Sequence, residues 1–259
     1  MATDKIEQQR EHFNAISERY LKGRCEENHI LLKSLIWQHA LSPLKELLPA
    51  NAKILEPMCG SGEGLEILTT VFSKELQYEG FDYSEDVVAA AKLRAGKIWQ
   101  ADVTKFVPDR DDYDAAILIG GLHHVPDHAG RVVRNVSRAL KPGGIFINFE
   151  PTNGTVLHRL IRERIYCAND IFDEETERAF SVSQLFGFFE KAGLECIRCT
   201  YPGLLAYTLY YNPYAFPTLN LGGPRAVKTA FGVDRPFLAN VLGRLLSFAA
   251  LSVWRKPDA

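Results

Sequence analysis

The stretch ILEPMCGSGEGLEIL, residues 54–68, runs from an apolar segment through three glycines into a helical pattern of apolar residues. Glycine lets a chain turn sharply and lets a ligand approach backbone without a Cβ in the way. Gly60, Gly62 and Gly64 together are more than a tight turn requires. The chain on either side repeats one rhythm. Strands are expected at 52–57, 77–82, 97–101, 113–119 and 144–150, with helices at 62–74, 84–95 and 127–141. Strands alternating with helices at this spacing specify a parallel sheet wound by right-handed crossovers. In a doubly wound sheet a ligand sits at the carboxyl ends of the strands, where the winding reverses. The turn Gly60–Gly64 is the first such end.

Outside the alternating region the pattern changes. Residues 4–48 read as two helical stretches, the second ending at Pro49. Residues 151–180 are polar and helical, 183–193 is a short amphipathic helix, and 194–200 is another strand. Residues 201–244 are rich in Tyr, Pro and Leu without a clean period, and 245–255 reads as a last strand. No repeat, low-complexity tract or linker divides the 259 residues. One domain with additions is expected over 1–259.

Composition removes several classes of function. The net charge of −2 gives no electrostatic footprint for nucleic acid. The most apolar run, LLSFAALSVW at 245–254, falls short of the ~20 residues that span a bilayer. The N-terminus MATDKIEQQREHF lacks the apolar core of a signal peptide. The cysteines Cys25, Cys59, Cys167, Cys196 and Cys199 form no framework of spacings. Cys196 and Cys199 make a lone C-x-x-C in a strand-like run, where positions i and i+3 point to opposite faces. Reduced thiols and a cytoplasmic location are expected.

The glycine turn alone leaves several nucleotide-type ligands open. A phosphate-binding P-loop needs a lysine after its last glycine, and none is present. The dinucleotide pattern G-x-G-x-x-G meets Leu65 at its third glycine. The following strands narrow the choice. Asp82 ends the second strand, where a carboxylate can accept both hydroxyls of a ribose. Asp102 follows the third in IWQADV. The fourth closes with ILIGGLHHVPD, and LKPGGIFINFE announces the fifth. The ordered series E-x-x-C-G-x-G-x-G, D-Y-S, A-D-V, L-H-H-V-P-D and L-K-P-G-G resembles the class I S-adenosylmethionine (SAM)-dependent methyltransferases. The likeness is close over about residues 50–150 and looser over 5–24 and 183–256. SAM carries no phosphate, and its ammonium and sulfonium charges suit an acidic site.

The resemblance implies a Rossmann-like, doubly wound α/β sheet, mostly parallel with an antiparallel last strand. Residues 1–48 would be an N-terminal helical lid, 50–150 the SAM-binding core, and 151–182 and 201–244 substrate-cap insertions. Glu56 would lie near the methionine ammonium, and Gly60 and Gly62 would line the methionyl and ribose groups. Asp82 would hold the ribose, Tyr83 would flank the adenine, and Asp102 with the backbone of Val103 would contact it. Gly120 would lie under the methionyl group. HFNAISERYLKG resembles the helix that lids this cofactor, with Tyr20 as the contact. Met58 stands where glycine is common, a departure that tightens the pocket without forbidding it.

Transfer from a sulfonium is an in-line displacement, so much of the catalysis is positioning of the acceptor. A hydroxyl acceptor must also lose a proton, for which histidine is the usual base near neutral pH. His123 and His124 follow the fourth strand, and Glu150 ends the fifth, where it could accept from an imidazole N–H. This pairing resembles small-molecule O-methyltransferases acting on sugars of natural products. Metal-dependent O-methyltransferases place carboxylates in this turn, and none stands at 120–124, so no metal is expected. The stretch YPGLLAYTLYYNPYAFPTLNLGG, 201–223, suggests a bulky, partly apolar small-molecule acceptor. The same side chains would also serve core packing or a homodimer contact. Leu204, Leu205, Leu209 and Phe216 would equally serve peripheral contact with a membrane or a lipid-linked substrate. Carbon or nitrogen methylation, and a non-catalytic protein that binds SAM or S-adenosylhomocysteine (SAH), are the alternatives.

Overall fold

The computed structural model of the protein describes residue 7 and residues 23–93, 97–155, 158, 179–213 and 220–258. Among these, seven strands form one sheet: β1 (Ala52–Pro57), β2 (Leu76–Asp82), β3 (Lys97–Gln100), β4 (Tyr113–Ile119), β5 (Leu140–Pro151), β6 (Glu195–Thr200) and β7 (Ala249–Arg255). Their spatial order is β3-β2-β1-β4-β5-β7-β6. Strands β1 to β5 pair in parallel, and β7 lies antiparallel between β5 and β6. The expected Rossmann-like sheet with an antiparallel last strand is therefore present. The winding reverses between β1 and β4, which sets the crevice at their carboxyl ends.

Seven helices are described: α1 (Glu27–Leu41), α2 (Glu63–Phe72), α3 (Glu85–Lys92), α4 (Ala129–Ala139), α5 (Val182–Lys191), α6 (Pro224–Asp234) and α7 (Val241–Leu246). Their starts are written locally. Ser84 accepts from the Val87 N–H at 3.3 Å, Ser181 and Gln184 form a capping box, and Asn240 accepts from the Gly243 N–H at 3.0 Å. Such caps contribute about 1 kcal/mol each. Central strands buried on both faces read as continuous apolar runs. Successive residues then serve opposite layers. Ile54, Ile117, Ile147 and Val253 belong to the core with Trp37 of α1 and Val227 of α6. Leu55, Ala116, Phe146 and Trp254 belong to the other, with Val133 of α4 and Phe189 of α5. Burying each large side chain contributes about 1.5–3 kcal/mol.

Two expectations are corrected at the C-terminal end. The last strand begins at Ala249 rather than at 245, because 241–246 is helix α7. Gly243 lies directly against the Phe237 carbonyl, where a built Cβ would sit 1.8 Å from the oxygen. The Asn240 cap and this close approach start a helical turn inside a run whose hydropathy reads as strand. The supposedly aperiodic 201–244 is also largely helical, with a wide π-type turn at Tyr207–Tyr211 and then α6. The cap of that first segment comes from far along the chain. Asp234 accepts from the Leu205 and Ala206 N–H groups at 3.2 and 2.8 Å. Of the two helical stretches expected over 4–48, the second is met by α1, which ends at Leu41, followed by a short 3-10 stretch at Ser42–Leu47; the first lies almost wholly outside the described residues, as does most of the helical stretch expected over 151–180.

Candidate active site

The glycine turn is held from below. Glu56, at the end of β1, is buried; its two carboxylate oxygens lie 3.2 and 3.1 Å from the Gly64 nitrogen. It also accepts from the Tyr78 hydroxyl. Burial pushes the Glu56 carboxyl up to about 8, although the Tyr78 and Gly64 donors pull the other way. A Cβ on Gly64 would lie 2.5 Å from a carboxylate oxygen, so the third glycine is required by Glu56. Glu56 is thus placed as buried support of the turn. Tyr78 is a residue the sequence reading missed. Its only signal is a polar-tipped aromatic in β2, and the register Ile54↔Tyr78 that brings it to Glu56 is tertiary.

Above this support the backbone turns with left-handed residues at Met58 (φ 54°), Gly60 (φ 53°) and Gly62 (φ 78°). Met58 is a side-chain-bearing residue in a conformation that favours glycine, at a cost of about 1 kcal/mol. A Cβ built on Gly60 meets nothing within 4 Å, leaving open backbone beside Asp82. Asp82 accepts from Gly60 N–H at 3.0 Å and Ser84 N–H at 3.1 Å. Burial raises its carboxyl above the ordinary value.

The other expected cofactor contacts flank the same strand ends. The Tyr83 hydroxyl donates to Glu7 at 3.1 Å, tying the N-terminal region to this edge. Asp102 accepts from the Thr104 N–H and hydroxyl at 2.9 and 2.7 Å. Burial alone would raise it, but the Thr104 bonds and Lys105 hold it below the ordinary value. Val103 follows it with its side chain buried. Gly120 (φ 61°) ends β4 and donates to the Phe149 carbonyl at 2.7 Å. Tyr20 lies outside the described residues.

The turn after β4 holds the third group. Glu150 is completely buried, and one carboxylate oxygen accepts from Gly121 N–H at 2.8 Å and Leu122 N–H at 2.7 Å. The other lies 2.9 Å from His123 Nδ1. Burial pushes Glu150 up to about 7, against those N–H donors and the nearby His124. The rings of His123 and His124 lie 3.9 Å apart. The expected trio is therefore brought together, with His123 in contact with the acid and the His124 ring tilted at 38° beside His123. On the other face of β5, Phe149 meets Trp37, Tyr207 and Tyr211 edge-on, with centroids 5.7, 6.3 and 5.4 Å away. Tyr207 and Tyr211 stack at 4.5 Å. Trp37, Phe149 and Tyr211 are buried in the core and Tyr207 packs against it; both tyrosines come from the 201–223 stretch marked in the sequence, while their meeting with Phe149 is tertiary. Among the described residues, no group of three or more His, Cys, Asp or Glu is placed to hold a metal.

Open glycine backbone at the switch point, a carboxylate at the end of β2 and a histidine–acid pair after β4 and β5 define the candidate site. The bare Gly60 backbone and the carboxylate beside it fit a positively charged, adenosine-type cofactor such as SAM. Residues 54–144 match the model of a methyltransferase domain. A demethylmenaquinone methyltransferase of Leptospira interrogans is 27% identical over 152 residues, covering 54% of this chain and 59% of that protein. A 2-phytyl-1,4-naphtoquinone methyltransferase of Synechococcus elongatus is 36% identical over 99 residues, covering 35% of this chain and 42% of that protein. The chain thus spans less than two thirds of the length of either. A SAM-dependent methyltransferase from Thermotoga maritima shares the fold, with a TM-score of 0.60 and 16% identity, covering 95% of this chain and 99% of that one.

Proposed function

We propose that this protein transfers the methyl group of SAM to a hydroxyl of a small, bulky and partly apolar acceptor, with His123 as base. The observation that carries the reading is the 2.9 Å contact between His123 Nδ1 and a Glu150 carboxylate locked by two backbone N–H groups. SAM, when bound, supplies an electrophilic methyl group. Glu56 supports the glycine turn, Gly60 and Gly62 present bare backbone, and Gly120 borders the methionyl end. Asp82 would hold the ribose, while Tyr83, Asp102 and Val103 would flank the adenine. With the Nδ1–H donated to Glu150, Nε2 is the ring's proton acceptor. Ionised Glu150 then stabilises the imidazolium that forms as the acceptor hydroxyl loses its proton. His124, with its ring 3.9 Å from that of His123, crowds one side of it. Tyr207, packed at the edge of the core beside Phe149 and Tyr211, offers the acceptor aromatic surface from the 201–223 stretch.

The test is turnover with labelled SAM against a panel of hydroxylated aromatic, sugar and quinol compounds, with products read by mass. His123→Ala should lower kcat by roughly 10²–10⁴ while SAM affinity stays within a few-fold. Glu150→Gln should cost about as much. Its carbonyl would keep the Gly121 and Leu122 bonds, and its amide would face Nδ1 and force the tautomer with a proton on Nε2. The double variant should be no worse than either single one, because the pair acts as a unit. The wild-type rate should rise with pH and level off above about 7, where Glu150 ionises. Full turnover in His123→Ala would remove the base from this reading.

A second reading is methylation at carbon. The two relatives described above are named as a demethylmenaquinone and a 2-phytyl-1,4-naphtoquinone methyltransferase, and the aromatic side chains of 201–223 suit a fused ring. A product labelled on ring carbon would select it, and His123 with Glu150 would then take a proton from an acidic carbon.

A further inference from the structure

The surface at the C-terminal end of the cap carries a cluster of exposed apolar side chains. Val241, Leu242, Leu245 and Leu246 of α7 are each more than half exposed, and Phe237 beside them is over a third exposed. Gly243, seated against the Phe237 carbonyl, locks this short helix onto the turn at 235–237. Its four apolar side chains therefore cannot turn inward. The Asp234 carboxylate brings the backbone of 205–206 beside this region, adding exposed Leu205 and Val233. Single exposed leucines are ordinary, but a contiguous apolar cluster marks an interaction site.

Its charge selects the partner. Residues 224–246 contain four basic side chains, Arg225, Lys228, Arg235 and Arg244, all exposed, in a chain whose net charge is −2. The one acid of this stretch, Asp234, is buried and bonded to backbone. A second copy docking face to face would set these four cations against the same four. Leucines of α7 with Arg244 in the same helix and Arg235 in the adjoining turn match a bilayer boundary, apolar atoms entering the acyl region and cations meeting anionic headgroups. Among the described residues no helix is long and apolar enough to cross a membrane, so such a contact lies on the surface.

We propose that the face built from residues 224–246 and Leu205 docks this protein on anionic lipid bilayers. Docking is independent of the methyl-transfer reading. It moves the membrane contact expected from 201–223 to a later segment. Of the side chains named for it, Leu204 and Leu209 pack partly against the core, Leu205 joins the exposed face, and Phe216 lies outside the described residues.

The experiment is co-sedimentation of the full chain with phosphatidylcholine vesicles, with and without roughly one-third phosphatidylglycerol. Binding is expected on the anionic vesicles, weakening as salt is raised. Leu242→Asp with Leu245→Asp should lower partitioning at least tenfold. Arg225→Gln with Lys228→Gln, a surface change that leaves packing alone, should lower it about fivefold per charge. Circular dichroism and SAM calorimetry on the same samples should be unchanged by either pair. Absence of binding to anionic vesicles, or binding indifferent to both pairs, would overturn the proposal. So would a dimer in light scattering that the two aspartates return to monomer, which would make this face a contact between copies. Failure of wild-type SAM binding would count against the methyl-transfer reading and leave the vesicle result standing.

Discussion

Glu56 is where a single residue carries opposing demands. It must be buried to support the glycine turn, and burial moves its carboxyl from the ordinary value of 4.5 to about 8. A proton is therefore held more tightly in the folded chain than in the unfolded one. The stability linked to it is fully present below the unfolded value and is lost as pH rises through about 8, by at most about 1.4 kcal/mol per pH unit. Thermal unfolding of the unliganded protein should show Tm falling between about pH 6 and about pH 8.5. Glu56→Gln should flatten that slope. Asp82 makes a different contribution, bridging Gly60 and Ser84 with two oxygens. Charge-assisted hydrogen bonds contribute about 1.5–3 kcal/mol each, so Asp82→Ala should weaken SAM binding by more than tenfold in calorimetry.

At the scale of elements, two glycines inside helices behave oppositely. Gly64 lies in the first turn of α2, and any side chain there collides with the Glu56 carboxylate. Gly187 lies inside α5, where a Cβ meets nothing within 4 Å. Gly187→Ala should stabilise the protein by about 0.5–1 kcal/mol, the ordinary gain of alanine over glycine in a helix. Gly64→Ala should destabilise it and reduce SAM affinity, because Glu56 must leave the Tyr78 and Gly64 donors or the turn must lift. Denaturant titration of the two variants together checks both signs.

On the scale of the whole molecule, the proposed cofactor site draws on β1, β2, β4 and their turns, which are distant in sequence and adjacent only in the sheet. A ligand bridging those strand ends stabilises the folded state alone. Near-saturating SAM, at about 100 times its Kd, should contribute about 2.7 kcal/mol and raise Tm by roughly 5–10 °C. NAD at the same concentration should leave Tm unchanged, and the SAM shift should shrink in Asp82→Ala.

Sequence by itself determined the parallel α/β alternation, the glycine turn at the first strand end, and the residues standing after β2, β3, β4 and β5. Those are local properties, because hydrophobic period, glycine spacing and chain order need no knowledge of neighbours. That Glu150 and His123 meet follows from two adjacent parallel strands ending at one edge, and so was legible too. Tertiary structure alone decided what register and long-range caps control. Tyr78 reaches Glu56 only through the β1–β2 pairing. The helical character of 204–211 depends on Asp234. The apolar run at 245–251 divides between an exposed helix and a buried strand because Gly243 packs on Phe237. Hydropathy records that such residues are apolar; which of them water reaches is set by the atoms packed against them.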